Sequence, residues 1–210
     1  RRLAQHTAAI RAAMAAGVKH IGYTSFTHST PDSAVLLAPD HCQTERLLAQ
    51  SGLNYTILRN NYYAENLLSA LPQAVKTGQW FAAAADGAAA YVSRDDCADS
   101  AAAALASDFD GRRTLDITGP ASLTHAEVAS LAAGVTGRPV RYVPVSIDAV
   151  TAGLAAAGLS PPVAQIYASF DTAIARGELA VVSPTVRELT GSDPQTLRAF
   201  FAAHRAALLG

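Results

Sequence analysis

The residues best suited to chemistry lie in one stretch, Asn54-Tyr-Thr-Ile-Leu-Arg-Asn-Asn-Tyr-Tyr-Ala-Glu-Asn66. Its first half, Tyr55 to Leu58, is β-branched and aromatic and reads as a short buried strand. The stretch turns polar at Arg59, Asn60 and Asn61, and Tyr62 and Tyr63 follow. Open α/β sheets bind ligands outside the carboxyl ends of their strands, so amides and phenols at such an end face a crevice from a rigid support. Asn is also a common turn residue, and a second strand end of the same character decides for the ligand reading. That strand, Val18 to Ser25, ends in the hydroxyls of Tyr23, Thr24 and Ser25, with Phe26 and Thr27 beyond. His41 lies near the start of the helix between the two strands. That end of an αβ crossover faces the same side as the preceding strand's carboxyl end, which puts His41 in reach of Thr24, Ser25 and Asn60.

The elements that position these groups follow from the apolar spacing. Leu3 to Ala16 carries Leu3, Ile10, Ala13 and Met14 at helical intervals, and Gly17 stops it. The first strand comes next, then a loop with Ser29, Pro31, Asp32 and Pro39, then a helix from about Asp40 to Gln50 ended by Ser51-Gly52. Helix–strand–helix–strand with short connections is the signature of a parallel, doubly wound sheet. Beyond the Asn/Tyr cluster a helix runs to Thr77-Gly78, and Gln79 to Ala82 and Tyr91-Val92 read as short extended pieces. Arg94-Asp-Asp opens an alanine-rich helix to Ala106, and Thr114 to Thr118 is a strand. Thr124 and Glu127 form a capping box for a helix to about Val135. Val140 to Val143 is extended, and the remainder is mainly helical, with a last helix from near Pro194 to Leu209. The predicted fold class is α/β, a doubly wound parallel sheet over residues 1–142 followed by a small, mainly helical cap over 143–210.

Composition narrows the function. The net charge of −1 and the lack of a basic run remove the footprint of a nucleic-acid binder. No apolar run approaches the roughly 18 residues of a membrane span. Cys42 and Cys97 are far apart, which fits reduced thiols in a cytoplasm better than a disulfide framework. The six histidines, His6, His20, His28, His41, His125 and His204, show no metal-ligand spacing, so no metal is expected. His20 reads as structural, His125 and His204 as solvated. No GxGxxG loop, Walker loop, HExxH or GxSxG occurs in the 210 residues.

The order Ala-Ala-Gly-Val-Lys-His-Ile-Gly-Tyr-Thr-Ser25, then Asp40-His-Cys-Gln-Thr-Glu-Arg-Leu-Leu-Ala-Gln-Ser-Gly-Leu and the Asn/Tyr stretch, resembles the NmrA-like branch of atypical short-chain dehydrogenases. The likeness is strongest to the NAD(P)H:quinone oxidoreductase and triphenylmethane reductase type, and covers nearly the whole chain. Such proteins begin with a Rossmann half that carries a glycine-rich loop. By that resemblance Val18–Ser25 is the family's fifth strand and Tyr55–Leu58 its sixth, and a segment bearing the loop is expected to precede this chain. Without it, the first strand is expected to form an open hydrophobic edge.

The resemblance also implies roles. Tyr23, Thr24 and Ser25 line the nicotinamide ribose, and His41 contacts ribose or substrate. Asn60, Asn61 and Tyr62 pack against the nicotinamide and orient its carboxamide. Phe26, Tyr63, Asn66 and Tyr91 shape a substrate pocket. The cofactor implied is NADPH, with NADH as the alternative. The Tyr-x-x-x-Lys pair of ordinary short-chain dehydrogenases is absent, since Thr27 stands four residues after Tyr23. The expected activity is hydride transfer to a quinone or similar conjugated acceptor, by a cytoplasmic monomer or homodimer. Tyrosines and a phenylalanine suit a flat acceptor ring. His41, with an ordinary pKa near neutrality, or a water is expected to supply the proton, which makes His41 and Tyr63 the catalytic candidates. The rival reading is a non-catalytic dinucleotide-binding redox sensor.

Overall fold

The computed structural model describes residues 2–210. Helix α1 (Arg2–Ala15) leads through Gly17, whose φ of 69° closes the helix, into strand β1 (His20–Phe26). Helix α2 (Ala38–Gln50) crosses over to β2 (Asn54–Asn60). A 3-10 turn at Ala64–Asn66 then enters α3 (Leu67–Thr77), β3 (Gln79–Ala82), β4 (Ala88–Ala89) and α4 (Arg94–Ala106). Strand β5 (Arg112–Ile117) joins the sheet beside β2.

The central sheet is parallel, in the order β1-β2-β5, with Phe26, Asn60 and Ile117 in register at its carboxyl end. Among the described residues β1 pairs only with β2, so it is the edge that the sequence anticipates. Alternation along the strands divides the packing in two. Ile21, Tyr23, Tyr55 and Ile57 point to α1 and α2, where they meet Ile10 and Leu48. Leu58 and Ile117 point the other way and pack on Cys97 and Ala104 of α4. The small side chains of α4 allow that helix close to the sheet, and its Ser93 cap and first-turn acids fix its start.

The largest apolar cluster is in the cap, not under the sheet. Strand β6 (Leu123–Thr124) pairs with β4 and enters α5 (His125–Thr136) through the capping box that the sequence predicts, both reciprocal hydrogen bonds being present. Strand β7 (Arg141–Pro144) pairs in parallel with β3 and straddles the position at which strand–helix alternation stops. Helices α6 (Ile147–Ala156), α7 (Pro161–Ala175) and α8 (Thr185–Thr190) follow. The predicted last helix is two, α9 (Leu197–Ala203) and α10 (Arg205–Leu209), broken at His204. Leu71, Trp80, Val128, Phe170, Ile174, Phe201 and Leu208 form the cap core.

One expectation fails outright. His125, placed in solvent by its first-turn position, is 1% exposed. The helix start is pressed against β3, and the imidazole lies over Trp80 with ring centroids 4.2 Å apart. A first-turn position says nothing about which way the turn faces.

Candidate active site at the strand ends

Three groups of side chains gather where β1, β2 and β5 end. The first lies on the side of α1 and α2. Tyr23 and Ser25 alternate with Thr24 along β1, so the two point to the helices while Thr24 is exposed on the opposite side of the sheet. The Tyr23 hydroxyl and His41 Nδ1 are 2.8 Å apart. Ser25 donates to Glu45 Oε1 at 2.6 Å, and Arg59 donates to both Glu45 oxygens through Nε and a terminal nitrogen. Glu45 is one helical turn beyond His41, so α2 presents the imidazole and the carboxylate on one face.

The electrostatics of this group correct one expectation. His41 does not sit near neutrality. Burial, then the charges of Arg2 and His6, push its pKa down to about 4. Burial also raises the Tyr23 phenol above its ordinary value. At neutral pH both are uncharged, and they share one hydrogen bond rather than an ion pair.

The second group lies on the α4 side. Asn60, 3% exposed, donates from Nδ2 to the Tyr63 hydroxyl at 3.1 Å. Its Oδ1 is buried and has no protein partner. The Tyr63 ring has the Arg94 guanidinium 5.2 Å from its centroid, and burial raises the phenol pKa. Asn61 is different. Its Oδ1 accepts from the Tyr62 N–H at 2.7 Å and its Nδ2 donates to the Leu179 carbonyl at 3.1 Å. Both ends of that amide are used in tying the end of β2 to the segment after α7, so its side chain does not face a crevice.

The third group is aromatic. Tyr62 stacks on Phe170 of α7 at 4.6 Å and 19°, and Phe170 meets Phe26 edge-on at 5.7 Å. Tyr91 lies behind Tyr62, 3% exposed, with its hydroxyl unpartnered. Asn66 lines a separate cavity beyond Tyr62, among the cap elements. A polar crevice of about 380 Å³ also opens at the strand ends, between Thr27, Arg59, Asp116, Arg176 and Glu178. Glu178 accepts from Ser33 and from the Ala34 N–H, which pins the loop after β1 over that crevice.

The structure therefore brings Tyr23, Ser25 and His41 into one cluster, Asn60 and Tyr63 into another, and Phe26, Tyr62 and Tyr91 into a third. Glu45, Arg59 and Phe170 are the residues that sequence reasoning left out of the site. Two of them were legible: a charged residue at a strand position facing a helix needs a partner, and Glu45 is the acid at the right turn of that helix. Phe170 carried no such signal.

Comparison with known proteins places the chain. Residues 1–200 match the NmrA-like family. The chain is 38% identical over 145 residues to quinone oxidoreductase 2 of Escherichia coli, covering 69% of this chain and 50% of that protein. It therefore spans half the length of that curated relative. It is 27% identical over 200 residues to an NAD(P)H azoreductase of Xenophilus azovorans, covering 95% of this chain and 70% of that protein. Among solved structures, the NADPH complex of an NADPH-dependent quinone oxidoreductase from Escherichia coli superposes with a TM-score of 0.90 at 35% identity, covering 96% of this chain and 71% of that one. The Citrobacter triphenylmethane reductase complexed with NADP(H) gives 0.88 at 30% identity, covering 96% and 70%. The sheet is thus the Rossmann-type sheet of these reductases, and the chain belongs to the NmrA-like family.

Proposed function

We propose that the protein carrying this chain is an NADPH-dependent reductase of quinones or similar conjugated acceptors, with NADH as the alternative donor. The observation that carries the reading is the Asn60 Oδ1: a buried amide oxygen without a partner, at the carboxyl end of a central parallel strand. Leaving such an atom unmatched costs about 1–3 kcal/mol, and a carboxamide N–H is the donor it fits. Tyr63 holds the amide from its other end. The quinone oxidoreductase and azoreductase among the similar proteins support the same class of acceptor.

When bound, the dinucleotide supplies the hydride. The chain's own residues bind, orient and exclude water. Asn60 receives the carboxamide and Thr24, exposed on the same face of the sheet, lines the ribose side, with Tyr23 and Ser25 held behind it by His41 and Glu45. Asn61 keeps the end of β2 in place, and Phe26 and Tyr62, backed by Phe170 and by the buried Tyr91, supply apolar ring surface for an acceptor. Tyr63 stays protonated beside Asn60 because burial raises its pKa. His41, uncharged at neutral pH, positions Tyr23 by hydrogen bonding and is not the acid; water delivers the proton to the acceptor oxygen. Residues 143–210 act with β3 as the substrate-side cap. The free, buried Cys42 and Cys97 fit a reducing compartment, hence a cytoplasmic location; among the described residues no helix is long and apolar enough to cross a membrane.

The test is oxidation of NADPH and NADH by the full-length gene product, with and without benzoquinone, for the natural sequence and Asn60→Ala. Quinone-dependent turnover is expected, with KM for NADPH about tenfold higher in the variant, one lost hydrogen bond to a buried group. Tight dinucleotide binding without turnover on any of several acceptors would replace this reading with that of a regulator.

A further inference from the structure

Beyond the strand ends, on the far side of the Tyr62–Phe170 stack, the cap forms a half-open cavity of about 300 Å³ between α3, β3, α6 and α7. That is at the small end of the range for ligand sites, about 300–1,000 Å³. Its walls include Tyr62, Trp80, His125, Leu154 and Tyr167, with one carboxylate, Asp171. Asp171 accepts a hydrogen bond of 2.6 Å from the Ala83 N–H, and none of the ion pairs among the described residues includes it. A carboxylate in such a place is normally paired. The one base in the cavity does not serve, because burial pushes His125 down to about 4 and leaves it uncharged at neutral pH. Burial likewise raises the Asp171 pKa above the ordinary carboxylate value. The cavity thus combines one acid outside any ion pair with a lining of five rings, Tyr62, Trp80, Phe81, His125 and Tyr167.

We propose that this cap cavity binds a small organic ammonium compound, its cationic head between Asp171 and the rings of Tyr62 and Tyr167 and its apolar body against Trp80 and Leu154. Aromatic rings attract a cation through their quadrupole, more strongly where water is excluded, and the carboxylate supplies the opposite charge. An anion would meet Asp171 with nothing to neutralise it. A neutral ring gains the apolar contacts alone. The volume limits the ligand to a single ring or a compact quaternary head. The inference stands apart from hydride transfer, since binding is read with neither dinucleotide nor acceptor present.

The experiment is isothermal titration of the full-length gene product with benzyltrimethylammonium and with dimethylbenzylcarbinol, its neutral analogue of nearly the same shape. Saturable binding of the cation is expected, at least about tenfold tighter than of the alcohol. Asp171→Asn keeps an acceptor for the Ala83 N–H and removes the charge; it is expected to cut affinity for the cation about tenfold and to change that for the alcohol, whose hydroxyl can donate to either side chain, much less. Tyr167→Leu, at a residue 45% exposed, is expected to weaken the cation several-fold. Thermal melts confirm that each variant is folded. Equal affinity for cation and alcohol overturns the proposal, as does no saturable binding of the cation. So does undiminished cation affinity in Asp171→Asn or, should that variant not fold, in Tyr167→Leu.

Discussion

Glu45 is the residue whose removal most directly tests how the strand ends are held. It accepts three hydrogen bonds, one from Ser25 and two from Arg59. In Glu45→Ala the Ser25 hydroxyl, on a residue 5% exposed, loses its acceptor, and the guanidinium loses its counter-ion. Breaking a fully buried ion pair costs about 3–5 kcal/mol, and an exposed pair contributes about 0–1. The Glu45 side chain is 11% exposed and that of Arg59 29%, so the acid is inside while the guanidinium can turn part of its edge to water. The pair falls between the limits, nearer the buried one, which gives a loss of about 2–3 kcal/mol for Glu45→Ala. Glu45→Gln keeps the shape and one acceptor and should lose about half as much. Urea unfolding of both variants, together with Arg59→Ala and the double variant, measures the loss and the coupling. A coupling below about 0.5 kcal/mol would show that Arg59 and Glu45 act independently and refute the reasoning. The variant should also raise KM for NADPH, because Arg59 immediately precedes Asn60.

Four further outcomes follow from single residues. His125 has a folded pKa of about 4 against an ordinary 6.5, so the unfolded chain takes up its proton first. Its contribution to stability is therefore complete above the unfolded value and is lost as pH falls toward 4, by on the order of 3 kcal/mol; His125→Phe should flatten that part of the pH–stability curve, and an unchanged curve would place the loss elsewhere. His41 should likewise titrate near pH 4 in proton NMR, and a midpoint near neutrality would restore it as the acid. A Cβ on Gly119 would lie 1.9 Å from the Tyr91 carbonyl oxygen, so Gly119→Ala should lower stability by about 3 kcal/mol. Gly134→Ala, in α5 with only an Arg198 nitrogen at 3.8 Å, should instead gain about 0.5–1 kcal/mol, and melting temperatures separate the two.

What the sequence made legible is what local rules govern. The capping box at Thr124 and Glu127, the stops at Gly17 and Gly78 and the three strands of the central sheet all depend on neighbours in the chain, and each is present. The failures are of another kind. The place of His125 in its helix points to solvent, whereas its burial is decided by β3 arriving from 45 residues upstream. The ordinary pKa of its type misplaces His41, whose charge is set by burial, with Arg2 and His6 of α1 adding to the effect. Asn60 and Asn61 read as one motif, and the pleat sends their side chains to different tasks. Neither tertiary neighbour nor desolvation is written in a spacing.

That division between Asn60 and Asn61 says how the site is built. At the end of a parallel strand the last residues alternate between two helical layers, so a run of polar residues cannot all face one ligand. Here the odd positions are given to the frame: Ser25 and Arg59 to Glu45, Asn61 to the Leu179 carbonyl. The even position, Asn60, keeps one unmatched oxygen. A frame of buried hydrogen bonds on one side makes an unsatisfied group tolerable on the other, because the strand end cannot relax to satisfy it. If that is the logic, loosening the frame should act on ligand binding through Asn60. The double variant Glu45→Gln/Asn60→Ala should then raise KM for NADPH no more than Asn60→Ala alone. Additive increases would mean that Glu45 acts on the cofactor by a separate route.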